Sequence, residues 1–232
     1  MLNQQQDEFN FIADVIRKNI PASLDGKEAI LNMKEEGSAN WRQMEWIGFW
    51  FEHFVHSQLK HKIVAKTGPT YGSTTFDLER KFVWDLKSHP MNIKSLILND
   101  VTAIQSCILE KGGLGFVILS GDVDYDDNQL SFKKWHDALK GGASSYEMER
   151  IARNAPSRRR KTRFIPTMVE GVWFNSKSEI ENALTSGILG YFQKGMRNSN
   201  GKQRPEKIMI RNSSSLENFL IGRQLFTKDS RI

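Results

Sequence analysis

An acidic residue followed two positions later by lysine occurs three times in this 232-residue chain, as Asp25-Gly-Lys27, Glu79-Arg-Lys81 and Asp85-Leu-Lys87. Matches this short arise often by chance, so their surroundings decide which of them can do chemistry. The first lies in a turn and the second at a hairpin tip, where solvated charges account for them. The third sits in the apolar stretch Phe82-Val-Trp-Asp-Leu-Lys87. A carboxylate held there demands a partner. Period-two alternation over Thr74 to Lys87 supplies one: Phe76 and Leu78 share one face of a first strand with Asp77 on the other, while Trp84 and Leu86 share a face of a second strand with Asp85 and Lys87 opposite. With an odd-numbered loop around Lys81, Leu78 faces Trp84 and Asp77 faces Asp85. A slip of one residue would drive the carboxylates into the core, so hydrophobic pairing sets this register. Two carboxylates opposed on neighbouring strands stand about 5 Å apart at Cβ and repel. A divalent cation between them removes that penalty. Aspartate oxygens suit Mg²⁺, with Mn²⁺ as a substitute, and the Lys87 ammonium on the same face can hold a water or a phosphate oxygen. These groups together ask for metal-assisted phosphodiester hydrolysis.

The elements that must carry these groups are legible in outline. Residues 7–19 and 27–36 read as short helices. Ser38-Ala-Asn40 offers an N-cap for a longer, aromatic-rich helix over about 40–60, buried on most sides. That helix supplies a third acid. Glu45, Gly48, Phe49, Glu52 and His56 fall on one stripe, and Glu52, nearer the strands in sequence, is preferred to Glu45 as an auxiliary metal or water ligand. Residues 63–65, 74–78 and 82–86 read as strands, 99–110 as a helix closed by Gly112-Gly113, and the apolar run 114–120 as an interior strand. Beyond these, 132–139 reads as a helix, 164–174 as one strand or a broken pair, 178–192 as a helix, 207–210 as a strand and 215–226 as a terminal helix. Alternating helices and strands favour an α/β fold with a mixed central sheet flanked by helices.

Composition excludes several classes. With 39% hydrophobic and 26% charged residues the chain is neither collagenous nor disordered, and its uncharged runs are shorter than the roughly 20 residues of a membrane-spanning helix. The first 20 residues lack the apolar segment of a secretory signal, which points to a cytoplasmic protein. The single cysteine, Cys107, excludes an internal disulfide framework and cysteine-rich zinc sites. His53, His56 and His61 read as ordinary core or surface histidines, and Gly112-Gly-Leu-Gly115 precedes a strand, so it fails as a dinucleotide fingerprint.

The net charge of +6 is unevenly placed: the first 56 residues hold nine acids and five bases, so the excess of base lies beyond them. Two clusters dominate, Arg150 to Arg163 and Lys194 to Arg211. A one-signed field beside Asn, Ser and Gly is the footprint expected for a phosphate backbone. Arg158, Arg159, Arg160 and Lys161 would neutralise phosphates. Asn198, Lys202, Gln203 and Arg204 offer a further cation and the amide and guanidinium forks that read base edges.

The residues quoted resemble the PD-(D/E)XK nuclease superfamily, whose core is a helix bearing an acid, a hairpin carrying Asp and then (Asp/Glu)-x-Lys, a helix and a further strand. Glu52, Asp77, Asp85-Leu-Lys87, the helix near 99–110 and the strand 114–120 follow in that order. Phe76 stands where the motif has proline, and Leu109 lies where exonuclease-like branches carry tyrosine four residues after Gln105. The resemblance spans about residues 40–121. It implies a restriction-endonuclease-like core with basic C-terminal elaborations over about 122–232, in one nuclease domain over 1–232. By that likeness Asp77, Asp85 and the Leu86 backbone carbonyl would bind metal, Lys87 would position or activate water, and Glu52 would assist. The implied activity is that of a type II restriction endonuclease, a Mg²⁺-dependent, sequence-specific endonuclease of double-stranded DNA, leaving 5′-phosphate and 3′-hydroxyl ends. A two-fold symmetric target would be cut by a homodimer. The rival readings are a structure-specific repair or junction nuclease and a non-catalytic DNA-binding protein.

Overall fold

The computed structural model of the chain describes residues 2–59, 68, 70–71, 74–155, 159–197 and 201–226. Helix α1 (Leu2–Asn19), the two-residue strand β1 (Leu24–Asp25) and helix α2 (Gly26–Glu35) precede a 3-10 turn, Ala39–Arg42, and helix α3 (Trp46–Leu59). Strands β2 (Thr70–Tyr71) and β3 (Thr74–Thr75) pair with each other. Strand β4 (Leu78–Glu79) turns back into β5 (Val83–Pro90), and β6 (Leu96–Asp100), α4 (Val101–Lys111) and the long β7 (Leu114–Tyr125) follow. After α5 (Ser131–Leu139) and α6 (Ser145–Ala152) come β8 (Lys161–Phe174), α7 (Lys177–Thr185), β9 (Leu189–Phe192), β10 (Lys207–Ile210) and β11 (Leu220–Leu225).

Local chemistry sets several of these boundaries. The Asp25 side chain accepts hydrogen bonds from the backbone N–H groups of Lys27 (2.8 Å) and Glu28 (3.1 Å), starting α2. Gly112 ends α4 in the left-handed conformation (φ 77°), as the Gly-Gly signal predicts. The continuous apolar run of β7 needs cover on both faces. It obtains it by alternation: Val117 and Leu119 enter one core with Phe9, Ile12, Trp50 and Phe51 of the N-terminal helices, while Phe116 and Ile118 enter another with Ile104, Ile180 and Ile208.

The main sheet runs β1-β8-β7-β5-β4, with β11 also on β8. Strands β5 and β7 are parallel and the other pairs antiparallel, so the mixed central sheet flanked by helices expected from the alternation is what the chain forms. A smaller antiparallel sheet, β6-β10-β9, packs over α4 and α7. Among the described residues no helix is long and apolar enough to cross a membrane.

Four expected elements differ. The helix over 40–60 is interrupted at 43–45, with Gln43 extended (ψ 144°), because the chain must turn to bury Trp46 completely and let its indole N–H donate to the Lys161 carbonyl (2.8 Å). The strand over 74–78 breaks at Phe76 and Asp77 into β3 and β4. The helix over 178–192 stops near Gly187 (φ 80°), after which β9 pairs with β10. The terminal helix over 215–226 is instead a 3-10 turn and β11, which covers the outer edge of β8. An open edge row of amides and carbonyls outweighs local helix preference there. The expected strand over 63–65 lies outside the described residues.

Gly115 permits the closest approach next to the site. It pairs with Trp84 across the β5–β7 ladder, and a Cβ there would lie 2.1 Å from the Trp84 ring. Gly115→Ala should therefore cost about 2–3 kcal/mol by overpacking. The check is the denaturant midpoint, and an unchanged midpoint would mean that Trp84 can move aside freely.

Candidate active site

The paired register places the proposed chemistry. Leu78 faces Trp84 and Glu79 faces Val83, the arrangement that sets Asp77 across from Asp85. Trp84 and Leu86 join one core and Val83 the other, so Asp85 and Lys87 point away from the tryptophan side as alternation requires. Strand β4 starts only at Leu78, which leaves the Leu86 N–H without a carbonyl beyond it. The Asp77 carboxylate takes that place, Oδ2 accepting from the Leu86 N–H at 2.6 Å. The break in the first strand is thus what turns Asp77 from a sheet residue into one aimed at its neighbour.

Asp85 is 1% exposed. Its Oδ1 accepts from the Asn99 side-chain N–H at 2.9 Å, and its Oδ2 pairs with the Lys87 ammonium. That Oδ2 is fully buried, so the ammonium is the group that balances its charge. Asn99 has no counterpart in the sequence reading, which began a helix at 99. The residue is the penultimate one of β6, and the alternation Leu96 in, Ile97 out, Leu98 in is the signal for that strand.

Electrostatics follow from crowding acids around one lysine. Burial, then repulsion by Asp85, pushes the Asp77 carboxyl from its ordinary 3.8 up to about 8, against the attraction of Lys87. Burial and Asp85 also raise Glu52. Burial works to lower Lys87, but Asp85 and Asp77 overcome it and hold the ammonium above its ordinary value. Burial lowers His56, which lies beside the Asp77 backbone, while His53 pairs with Glu36 at 2.7 Å.

These groups line one cleft of about 360 Å³, which holds Glu52, Asp77, Asp85, Leu86 and Lys87 together with Glu45, Asn99 and Lys161. Glu45 is tied to Lys161, whereas Glu52 feels Asp85 directly. The fold therefore brings together every member of the expected acid-and-lysine set. The basic residues fare differently. Lys161 lines the cleft, but Arg159 donates twice to the Asp126 carbonyl (2.5 and 2.7 Å). Arg160 is 7% exposed, with the buried Glu147, the half-buried Asp137 and the exposed Glu45 as its charged neighbours, so it does not stand on an open surface. Lys202, Gln203 and Arg204 are not among the residues that line the cleft; Gln203 bridges to Arg197 and the Arg204 N–H donates to the Met196 carbonyl (2.8 Å). Arg158 and Asn198 lie outside the described residues.

Among the described residues, no three His, Cys, Asp or Glu side chains stand close enough to hold a metal by themselves. The donor set nonetheless fits a hard cation. Mg²⁺ typically takes one or two carboxylates and completes its shell with water and substrate oxygens, and here the buried Asp85 carboxylate, charge-paired with Lys87, stands beside an Asp77 carboxyl that burial, and then Asp85, keeps from ionising.

No protein-family model matches the chain, and no curated protein does. Its structure is similar to the crystal structure of the restriction endonuclease BglI bound to its DNA recognition sequence, with a TM-score of 0.38 and 7% sequence identity over 98% of this chain and 100% of that one. A likeness that distant does not establish a shared activity.

Proposed function

We propose that this chain is a Mg²⁺-dependent, sequence-specific endonuclease of double-stranded DNA, a type II restriction enzyme acting as a homodimer and leaving 5′-phosphate and 3′-hydroxyl ends. The observation that carries the reading is the convergence of Asp85 and Lys87 of β5 with Asp77, just before β4, on one cleft, with Glu52 beside them. Asp77 and Asp85 would hold the ion, with Glu52 and the Leu86 carbonyl as auxiliary donors. When bound, Mg²⁺ polarises the phosphate and acidifies its water.

The chain's own residues do the rest. Asn99 and the Leu86 N–H hold the two aspartates in place. Lys87 keeps its ammonium at the mouth of the pair, where a water or a non-bridging phosphate oxygen can replace part of its contact with Asp85. Proximity of this kind lowers the barrier by fixing the reacting groups before reaction. Discrimination among DNA sequences falls to exposed polar and basic residues, of which Lys202 and Gln203 are examples.

Incubating the pure protein with mixed-sequence plasmid and Mg²⁺ tests this. Discrete bands, abolished by chelation, are the expected result, and sequencing their ends gives target, stagger and end chemistry together. Nicking only at junctions or damaged sites would replace the reading with a structure-specific nuclease. Retardation without cutting would replace it with a DNA-binding protein.

A further inference from the structure

The cleft carries a second lysine whose place the catalytic set does not explain. Lys161 opens β8 and pairs its side chain with Glu45, immediately before α3. One anchor positions both. Trp46, wholly buried and next in sequence to Glu45, donates its indole N–H to the Lys161 carbonyl at 2.8 Å. The Lys161 side chain is 19% exposed and that of Glu45 is 59% exposed. The lysine is therefore held against the protein while its partner stands in solvent. Around them, among the described residues, the cleft sets the carboxylates of Glu45, Glu52, Asp77 and Asp85 against two ammonium groups, Lys87 and Lys161. Lys87 is committed to a buried aspartate. Lys161 is committed to an exposed glutamate, and ion pairs of that kind are weak and easily exchanged.

We propose that Lys161 is the cleft's cation for the polynucleotide backbone, and that Glu45 holds it until a phosphate displaces the carboxylate. A non-bridging phosphate oxygen offers the ammonium a charge-assisted hydrogen bond of the same type, so the exchange conserves pairing. The freed Glu45 returns to water. The inference rests on the DNA-cleaving reading for its substrate class and goes beyond it in separating Lys161 from Arg159 and Arg160 beside it, which meet the fold's own groups.

A double-mutant cycle on DNA affinity tests it, with a short mixed-sequence duplex and no metal. Lys161→Gln should weaken binding about three- to tenfold and lower the slope of log affinity against log salt by about one. Glu45→Gln should tighten binding about threefold at low salt, because the competing carboxylate is gone. The decisive result is the combination: in the Lys161→Gln background, Glu45→Gln should change nothing. Equal tightening in both backgrounds would show that Glu45 merely repels DNA. Unchanged affinity in the single variants, with a lowered melting temperature, would show that the pair is only a tie between α3 and β8. Either result overturns the proposal. Lys161→Arg, which keeps the charge, should retain binding and guards against a folding artefact. Failure of the wild-type protein to cut plasmid would instead count against the nuclease reading, leaving the cycle's answer separate.

Discussion

Asp85→Ala is expected to abolish DNA cleavage while leaving DNA affinity largely intact. The side chain is buried, accepts the hydrogen bond from Asn99 and pairs its other oxygen with the Lys87 ammonium at the cleft. If it binds the ion, its loss removes stabilisation of about 4 kcal/mol from the transition state, or about a thousandfold in rate. Binding relies on cations elsewhere, so it should persist. Asp85→Asn separates charge from shape, because the amide keeps an acceptor for Asn99 and nearly the same volume. Single-turnover plasmid cleavage alongside gel retardation decides the matter: a variant that still cuts would remove Asp85 from the mechanism.

Asp77 makes the second large prediction, which concerns stability as well as activity. Its carboxyl titrates at about 8 in the folded protein against an ordinary 3.8. Below about pH 4 both states are protonated and the group contributes nothing. As pH rises towards 8 the unfolded chain releases this proton while the folded one retains it, so the folded state binds more protons and stability falls. Glu52, raised for the same reasons, adds to that slope. The metal-free protein should therefore lose stability between pH 5 and pH 8, roughly the window between these two values. Asp77→Asn should flatten the loss and gain about 1–3 kcal/mol at pH 8, while its amide oxygen still accepts from the Leu86 N–H. The same change should cost cleavage about a hundredfold or more. Mg²⁺ should stabilise the wild type at pH 8 and do little for the variant. Thermal melts across pH, with and without Mg²⁺, would refute this if the two proteins ran parallel.

Much of the site was readable from residue types and spacing, because the features that carried it are local. The pairing of Leu78 with Trp84 follows from keeping apolar residues on one face, and it sets both aspartates on the other. The burial of β7 follows from its unbroken apolar run. The Gly112 cap follows from the backbone conformation that Gly alone adopts at no steric cost. Misreadings fell where local preference was outvoted by distant partners. Residues 220–225 have an amphipathic, helix-like pattern yet become a strand because β8 offers an unpaired edge. Gln43 leaves helical conformation because Trp46 must reach Lys161, more than a hundred residues away in the chain.

The amino-acid order alone determined that Asp85 and Lys87 share a face and that Leu78 pairs with Trp84, which brings Asp77 up to Asp85, since alternation along a strand and the demand for a dry opposite face leave one register. It equally determined a mixed α/β sheet with helical cover. Only the tertiary structure decided which other groups meet them. Asn99 arrives from β6, Trp46 anchors Lys161 beside Glu45, and Arg160 is buried while its neighbour Lys161 turns to the cleft. The physical reason is range: side-chain direction repeats every two or 3.6 residues, whereas ion pairs, anchors and sheet edges join segments whose separation no local periodicity encodes.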